Sequence, residues 1–108
     1  MRDYKLYIDD IYNSIKKIEK YTKGISLAQL KKDELKIDGI ARNLEIIGEA
    51  VKRIPVEFKN KYPDIEWKKI AGLRDILIHA YFGIDTEVLW DIAKNKIPEL
   101  KKNLKTLL

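Results

Sequence analysis

Residues 33–54 read DELKIDGIARNLEIIGEAVKRI. Ile37, Ile40, Leu44, Ile47, Val51 and Ile54 recur at three- and four-residue steps, which draws one apolar stripe down an α-helix. Ala41 and Gly48 stand seven apart and share a face. A small pair of this kind lets another helix approach closely, and Gly48 otherwise costs about 1 kcal/mol of helix stability. Pro55 ends the helix.

The same period extends to both sides. From about Asp3 to Thr22, Tyr4, Ile8, Ile11, Ile15, Ile18 and Thr22 form a stripe opposed by Asn13, Lys16, Lys17 and Lys20, and Gly24 stops the run. Ser26 with Gln29 fits a capping box at the head of a short helix. Asp64 is the expected N-cap of a third helix, from about Ile65 to Tyr81, with Gly83 as its stop. Asp85 or Thr86 caps a fourth helix that turns Leu89, Ala93, Leu100, Leu104 and Leu107 inward. Pro98 falls inside it and is expected to kink or split it near residues 95–97. No segment alternates with period two, and no Asn-Gly or Asp-Gly hairpin signal is present. The expected architecture is all-α: a single domain over residues 1–108, an antiparallel bundle of four main helices with one or two short ones.

Composition bounds the chemistry. At 45% hydrophobic and 36% charged residues, the chain is too apolar for disorder and too charged for a membrane protein. The N-terminal residues lack the apolar core of a signal peptide, so the cytoplasm is the expected compartment. With no cysteine there is no disulfide scaffold, zinc finger or thiol nucleophile. One histidine excludes a multi-histidine metal site on a single chain. It also means that two-step acid–base catalysis by imidazole would need a second subunit. The net charge of +5 suits an anionic partner such as nucleic acid without requiring one.

Candidate chemistry concentrates in Leu73-Arg74-Asp75-Ile76-Leu77-Ile78-His79-Ala80-Tyr81-Phe82. On a continuous helix Asp75 and His79 would touch, and Arg74 and Tyr81 would lie about 20° apart. Arg74 and His79 would then diverge by about 140°, and would converge only if the helix opens near His79 or another subunit supplies one of them. Residue types and spacing leave a plain alternative open. Arg74 and Asp75 would be surface charges, His79 a helix C-terminal cation and Tyr81 an edge of the core.

The pattern Arg74-x4-His79-x-Tyr81 resembles the signature of the HepT toxins, a branch of the HEPN superfamily. Residues 42–50, RNLEIIGEA, are similar to that branch's second-helix sequence, and Pro63-x-Ile65-x-Trp67-x-x-Ile70-x-Gly72-Leu73-Arg74-Asp75 resembles its run into the catalytic helix. The resemblance implies a helical homodimer with a metal-free RNA-cleaving site at the subunit interface and no cofactor. Arg74 and His79 match the two catalytic positions, and Asp75 satisfies the polar position after the arginine. Tyr81 matches the tyrosine that a small partner nucleotidyltransferase, the antitoxin, modifies with AMP. A non-catalytic adaptor that docks such a nucleotidyltransferase is the alternative, and a purely structural dimer a third reading.

The residue chemistry agrees with cleavage. Histidine titrates near neutrality and suits proton transfer, and arginine offers phosphate oxygens a permanently charged fork. Arg42, Asn43, Glu45 and Glu49 read as a polar face of the second helix, with Arg42 and Asn43 as candidate cleft or RNA contacts. Trp67 and Trp90 read as core or interface anchors. Lys94, Lys96, Lys101, Lys102 and Lys105 make the last helix basic, for solubility or for an RNA backbone.

Overall fold

The computed structural model describes residues 4–73, 75, 78–79 and 83–107. Two long helices, α1 (Tyr4–Thr22) and α3 (Glu34–Arg53), form its spine, with the five-residue α2 (Leu27–Lys31) between them. Ile8, Ile11, Ile15 and Ile18 of α1 meet Ile40, Leu44, Ile47 and Val51 of α3, all removed from water. Each such side chain contributes about 1.5–3 kcal/mol on burial, so the stripes hold the pair together. The two helices run antiparallel. Tyr21 lies against Gly39 near one end, while Tyr7 and Asp10 share a groove with Ala50 and Arg53 near the other.

Local chemistry fixes the ends. Gly24 takes a φ of 74°, open to glycine without strain, and closes α1. Ser26 Oγ accepts from the Gln29 N–H at 3.2 Å while the Ser26 N–H donates to Gln29 Oε1 at 2.8 Å, completing the expected capping box. Asp33 accepts from the Lys36 N–H at 3.0 Å and starts α3. Pro55 excludes helical geometry at Ile54, which turns extended at φ −70°, ψ 132°.

The short α4 (Val56–Asn60) carries Phe58 into an aromatic cluster with Tyr4 at 4.0 Å, Tyr62 at 5.0 Å and Trp67 at 6.4 Å between ring centroids. The Trp67 indole N–H donates to the Lys59 and Tyr62 carbonyls at 3.2 and 3.1 Å. Trp67 is a core anchor, as its sequence context suggested.

The third helix departs from expectation. It spans only Trp67–Ala71, here α5, and its N-cap position is Glu66, not Asp64. Gly72 interrupts it, its N–H shared between the Lys68 and Lys69 carbonyls. Leu73 and Asp75 are again helical, but β1 (Ile78–His79) is extended and pairs antiparallel with β2 (Gly83–Ile84). β-branched Ile78 and Ile84 favour this geometry and face one another in register, and Gly72 weakens any continuous helix upstream. Gly83 is therefore a ladder residue and not a helix stop.

The last helical run begins with α6 (Thr86–Asp91), capped by Asp85, whose Oδ1 accepts from the Glu87 and Val88 N–H groups at 3.0 and 3.1 Å. A single π-helical turn over Ile92–Lys96 joins it to α7 (Ile97–Lys105). Pro98 thus neither breaks nor ends the run. Proline removes an N–H and crowds the carbonyl four residues back, here that of Lys94. A wider turn, in which the Ile97 N–H reaches the Ile92 carbonyl, absorbs that misfit. Leu89, Ile92, Ala93, Ile97, Leu100 and Leu104 remain buried along the whole length. The fold is all-α, with β1–β2 as a two-residue bridge between helices. Among the described residues, no helix is long and apolar enough to cross a membrane.

Candidate active site

The segment from Gly72 to Asp85 is anchored from both sides. Upstream, α5 seats its last turn directly on α3: a Cβ built on Gly48 would stand 2.9 Å from the Ala71 carbonyl oxygen. Leu73, buried, continues that packing to the residue before Arg74. Downstream, the Asp85 cap fixes the start of α6. Between the anchors, the bridge sets His79 opposite Gly83.

Arg74 and Tyr81 lie outside the described residues, so their placement relative to His79 is not part of this geometry. Asp75 is exposed, and its N–H donates to the Gly72 carbonyl at 3.1 Å. The backbone at His79 is extended, so the helical spacing that would set Asp75 beneath His79 does not apply there.

The other candidates divide. Arg42 is exposed and paired with Glu45 at 2.6 Å, and it lines the α1–α3 groove with Tyr7 and Asp10. It stands six positions from Gly48, about 120° around the helix. It therefore faces away from the side of α3 that carries α5. Asn43 is a correction to the polar face read from sequence: it is only 5% exposed. Its amide donates to the Gly39 carbonyl at 2.8 Å, and its Oδ1 is buried with no hydrogen-bond partner among the described residues. The helix's own Gly39 carbonyl, one turn back, satisfies one of the two amide N–H donors.

Next to the motif, Ile70, Leu73, Val88, Ile92, Ile97 and Leu100 line an apolar groove of about 360 Å³ between α5 and the last helical run. At its rim the Lys69 ammonium lies 2.9 Å from the Glu66 carboxylate. That hydrogen bond and charge hold the Glu66 carboxyl below its ordinary value and the Lys69 amine above its own. Among the described residues, no cluster of histidine and carboxylate side chains could hold a metal ion.

Comparison with known proteins decides the family. The model of the "Ribonuclease HepT-like" family matches residues 11–107. The chain belongs to the HepT-like ribonuclease family. It is 44% identical over 106 residues to the "Probable ribonuclease HepT" of Thermococcus cleftensis, covering 98% of this chain and 96% of that one. A "Putative RNase" of Methanocaldococcus jannaschii is 41% identical over 107 residues, covering 99% of this chain and 88% of the relative. A longer protein of that organism, named "Gamma-glutamylcyclotransferase and putative RNase", is 43% identical over 103 residues. This HepT-like chain covers 95% of its own length in that match but only 46% of the relative's. No solved structure matches.

Proposed function

We propose that this HepT-like protein is a metal-independent endoribonuclease, the toxin of a toxin–antitoxin pair, acting in the cytoplasm. The observation that carries the reading is the family match across residues 11–107, the range in which Arg74, Asp75, His79 and Tyr81 lie. The 2′-hydroxyl of the RNA attacks the adjacent phosphorus as its proton passes to a base. The bond to the 5′-oxygen breaks as an acid protonates it, leaving a 2′,3′-cyclic phosphate. His79 moves protons in this scheme, Arg74 holds the non-bridging oxygens as negative charge grows on them, and Asp75 supports the imidazole.

One imidazole per chain does not fill both proton-transfer roles at once. A two-fold homodimer brings two copies of His79 to one cleft. The apolar groove that begins at Leu73 gives such a dimer surface to bury beside the motif. Tyr81 is the residue that a small nucleotidyltransferase antitoxin modifies in this proposal. An AMP ester there adds a bulky anion close in sequence to Arg74 and blocks RNA by occupancy and charge.

The test is cleavage of RNA in the presence of EDTA by the wild-type protein and His79→Ala. The expected result is cyclic phosphate ends, no action on DNA, and a loss of at least about 10²-fold in the variant. Equal rates for the two proteins would overturn the assignment. A wild-type protein that cuts no RNA yet forms a stable complex with a nucleotidyltransferase would establish the adaptor reading instead.

A further inference from the structure

Away from the motif, a second groove of about 600 Å³ runs between the C-terminal half of α1 and the π-helical turn, lined by Lys16, Glu19, Lys20, Lys23, Lys94 and Pro98 among others. Its charge is one-sided. Lys16, Lys20, Lys23 and Lys94 are all exposed, and among the described residues none of the four forms an ion pair. The sole carboxylate in the lining, Glu19, is held by Lys101, whose Nζ donates to both of its oxygens at 3.1 Å. The basic lining therefore keeps its charge uncompensated.

Four features make this more than a solvated helix face. Lys16 and Lys20 stand one helical turn apart on α1, and Lys23 follows in the turn just past its end. Lys94 comes from a different element and closes the opposite wall. Two of the four ammonium groups are steadied over aromatic rings, Lys16 4.9 Å from the Tyr12 centroid and Lys94 5.3 Å from that of Trp90. The wall that carries Lys94 is the widened turn itself, a rare geometry that recurs at functional sites. Like charges gathered around a concave surface without counter-charges are unfavourable unless an anion occupies it. A row of lysines along one concave wall, answered by Lys94 on the other, matches a single nucleic-acid strand, whose charges repeat along its length.

We infer that this groove is a track for the phosphate backbone of the RNA that the protein cuts. The inference rests on the ribonuclease reading for the identity of the polyanion, but not for its location. The groove adds affinity for long RNA and takes no part in bond breaking.

Fluorescence anisotropy with a labelled single-stranded RNA of about twenty nucleotides, long enough to cross one such track, tests this. Wild type is compared with Lys16→Gln/Lys20→Gln/Lys94→Gln, titrated between about 50 and 200 mM salt. A control, Lys32→Gln/Lys61→Gln/Lys68→Gln, removes the same charge elsewhere. Each lysine on a single strand contributes about 0.7 to the slope of log K against log salt, so the groove variant is expected to lose about 2 from that slope. Its affinity at low salt is expected to fall at least about tenfold, with the control close to wild type. Cutting of a dinucleotide, which occupies the catalytic centre alone, is expected to be unchanged in the groove variant.

Equal affinity and slope for groove variant and wild type would overturn the inference. So would an equal loss in the control, or loss of dinucleotide cutting at unchanged melting temperature. If wild type cuts neither substrate, the ribonuclease reading fails by itself, and the difference in slope still decides the groove.

Discussion

Gly48 of α3 and Ala71 of α5 touch backbone to backbone: a Cβ on the glycine would lie 2.9 Å from the alanine carbonyl oxygen. Real side chains do not tolerate that approach, and a carbonyl within a helix cannot swing aside as a side-chain tip does. Gly48→Ala therefore sets a helix-propensity gain of about 1 kcal/mol against displacement of α5. The displacement is expected to win, with a net loss of about 1–3 kcal/mol in urea denaturation. At Gly39 the equivalent Cβ meets only the Tyr21 ring, at 3.2 Å. That ring can give way, so Gly39→Ala is expected to be neutral or stabilising. The same substitution is thus expected to destabilise at one position of the helix and not at the other, and an equal loss at both would contradict the packing.

Asp85 is where the motif segment is tied to the last helical run. Its carboxylate accepts from two N–H groups that otherwise have no partner in the first turn of α6. Asp85→Ala is expected to cost about 1 kcal/mol, or some 4–8 °C of melting temperature in a domain of this size. Asp85→Asn keeps an acceptor oxygen and is expected to stay near wild type. An alanine variant as stable as the asparagine variant would show that the cap contributes nothing.

The Glu66–Lys69 pair predicts a pH dependence whose sign follows from both shifts. The Glu66 carboxyl is lowered from 4.5, so its contribution is present above that value and fades as pH falls through the folded one. The Lys69 amine is raised from 10.5, so its contribution is present below that value and fades as pH rises through the folded one. The stability difference between wild type and Glu66→Gln is therefore expected to be a small plateau between the two limits, vanishing at either extreme. Both groups are exposed, so added salt shrinks the plateau. Denaturation midpoints across pH at low and high salt measure it, and a difference that grows in acid would refute it.

What the sequence revealed divides along physical lines. The α1 and α3 stripes, the Ser26–Gln29 box and a cap at Asp85 or Thr86 were legible because each depends on residues within a few positions of one another. The interruption of the third helix was not. Gly72, Ile78 and Ile84 each favour it weakly, and a two-residue bridge carries no periodicity to detect. Asn43 lay hidden for a related reason: its side-chain type signals a surface, while in the fold it is buried with its amide on the Gly39 carbonyl. The lysine groove joins positions 16–23 to position 94, so neither stretch alone shows more than a basic helix face. The candidate catalytic residues were named from their pattern and resemblance, and for His79 the structure changes the backbone on which the pattern is mounted.

The proposed two-subunit site makes a prediction that a single-chain site does not. If one cleft needs an imidazole from each chain, a dimer with one wild-type and one His79→Ala subunit has no complete cleft. Mixed dimers isolated with two different affinity tags are then expected to cut RNA no faster than the His79→Ala homodimer, a loss of at least about 10²-fold. If each chain carries its own complete site, the mixed dimer keeps about half the wild-type rate, because the symmetric assembly contains two independent copies. The two outcomes differ by more than an order of magnitude and do not depend on which RNA is offered. Retention of half activity would leave His79 as a catalytic group but would remove the reason for placing the site at the interface.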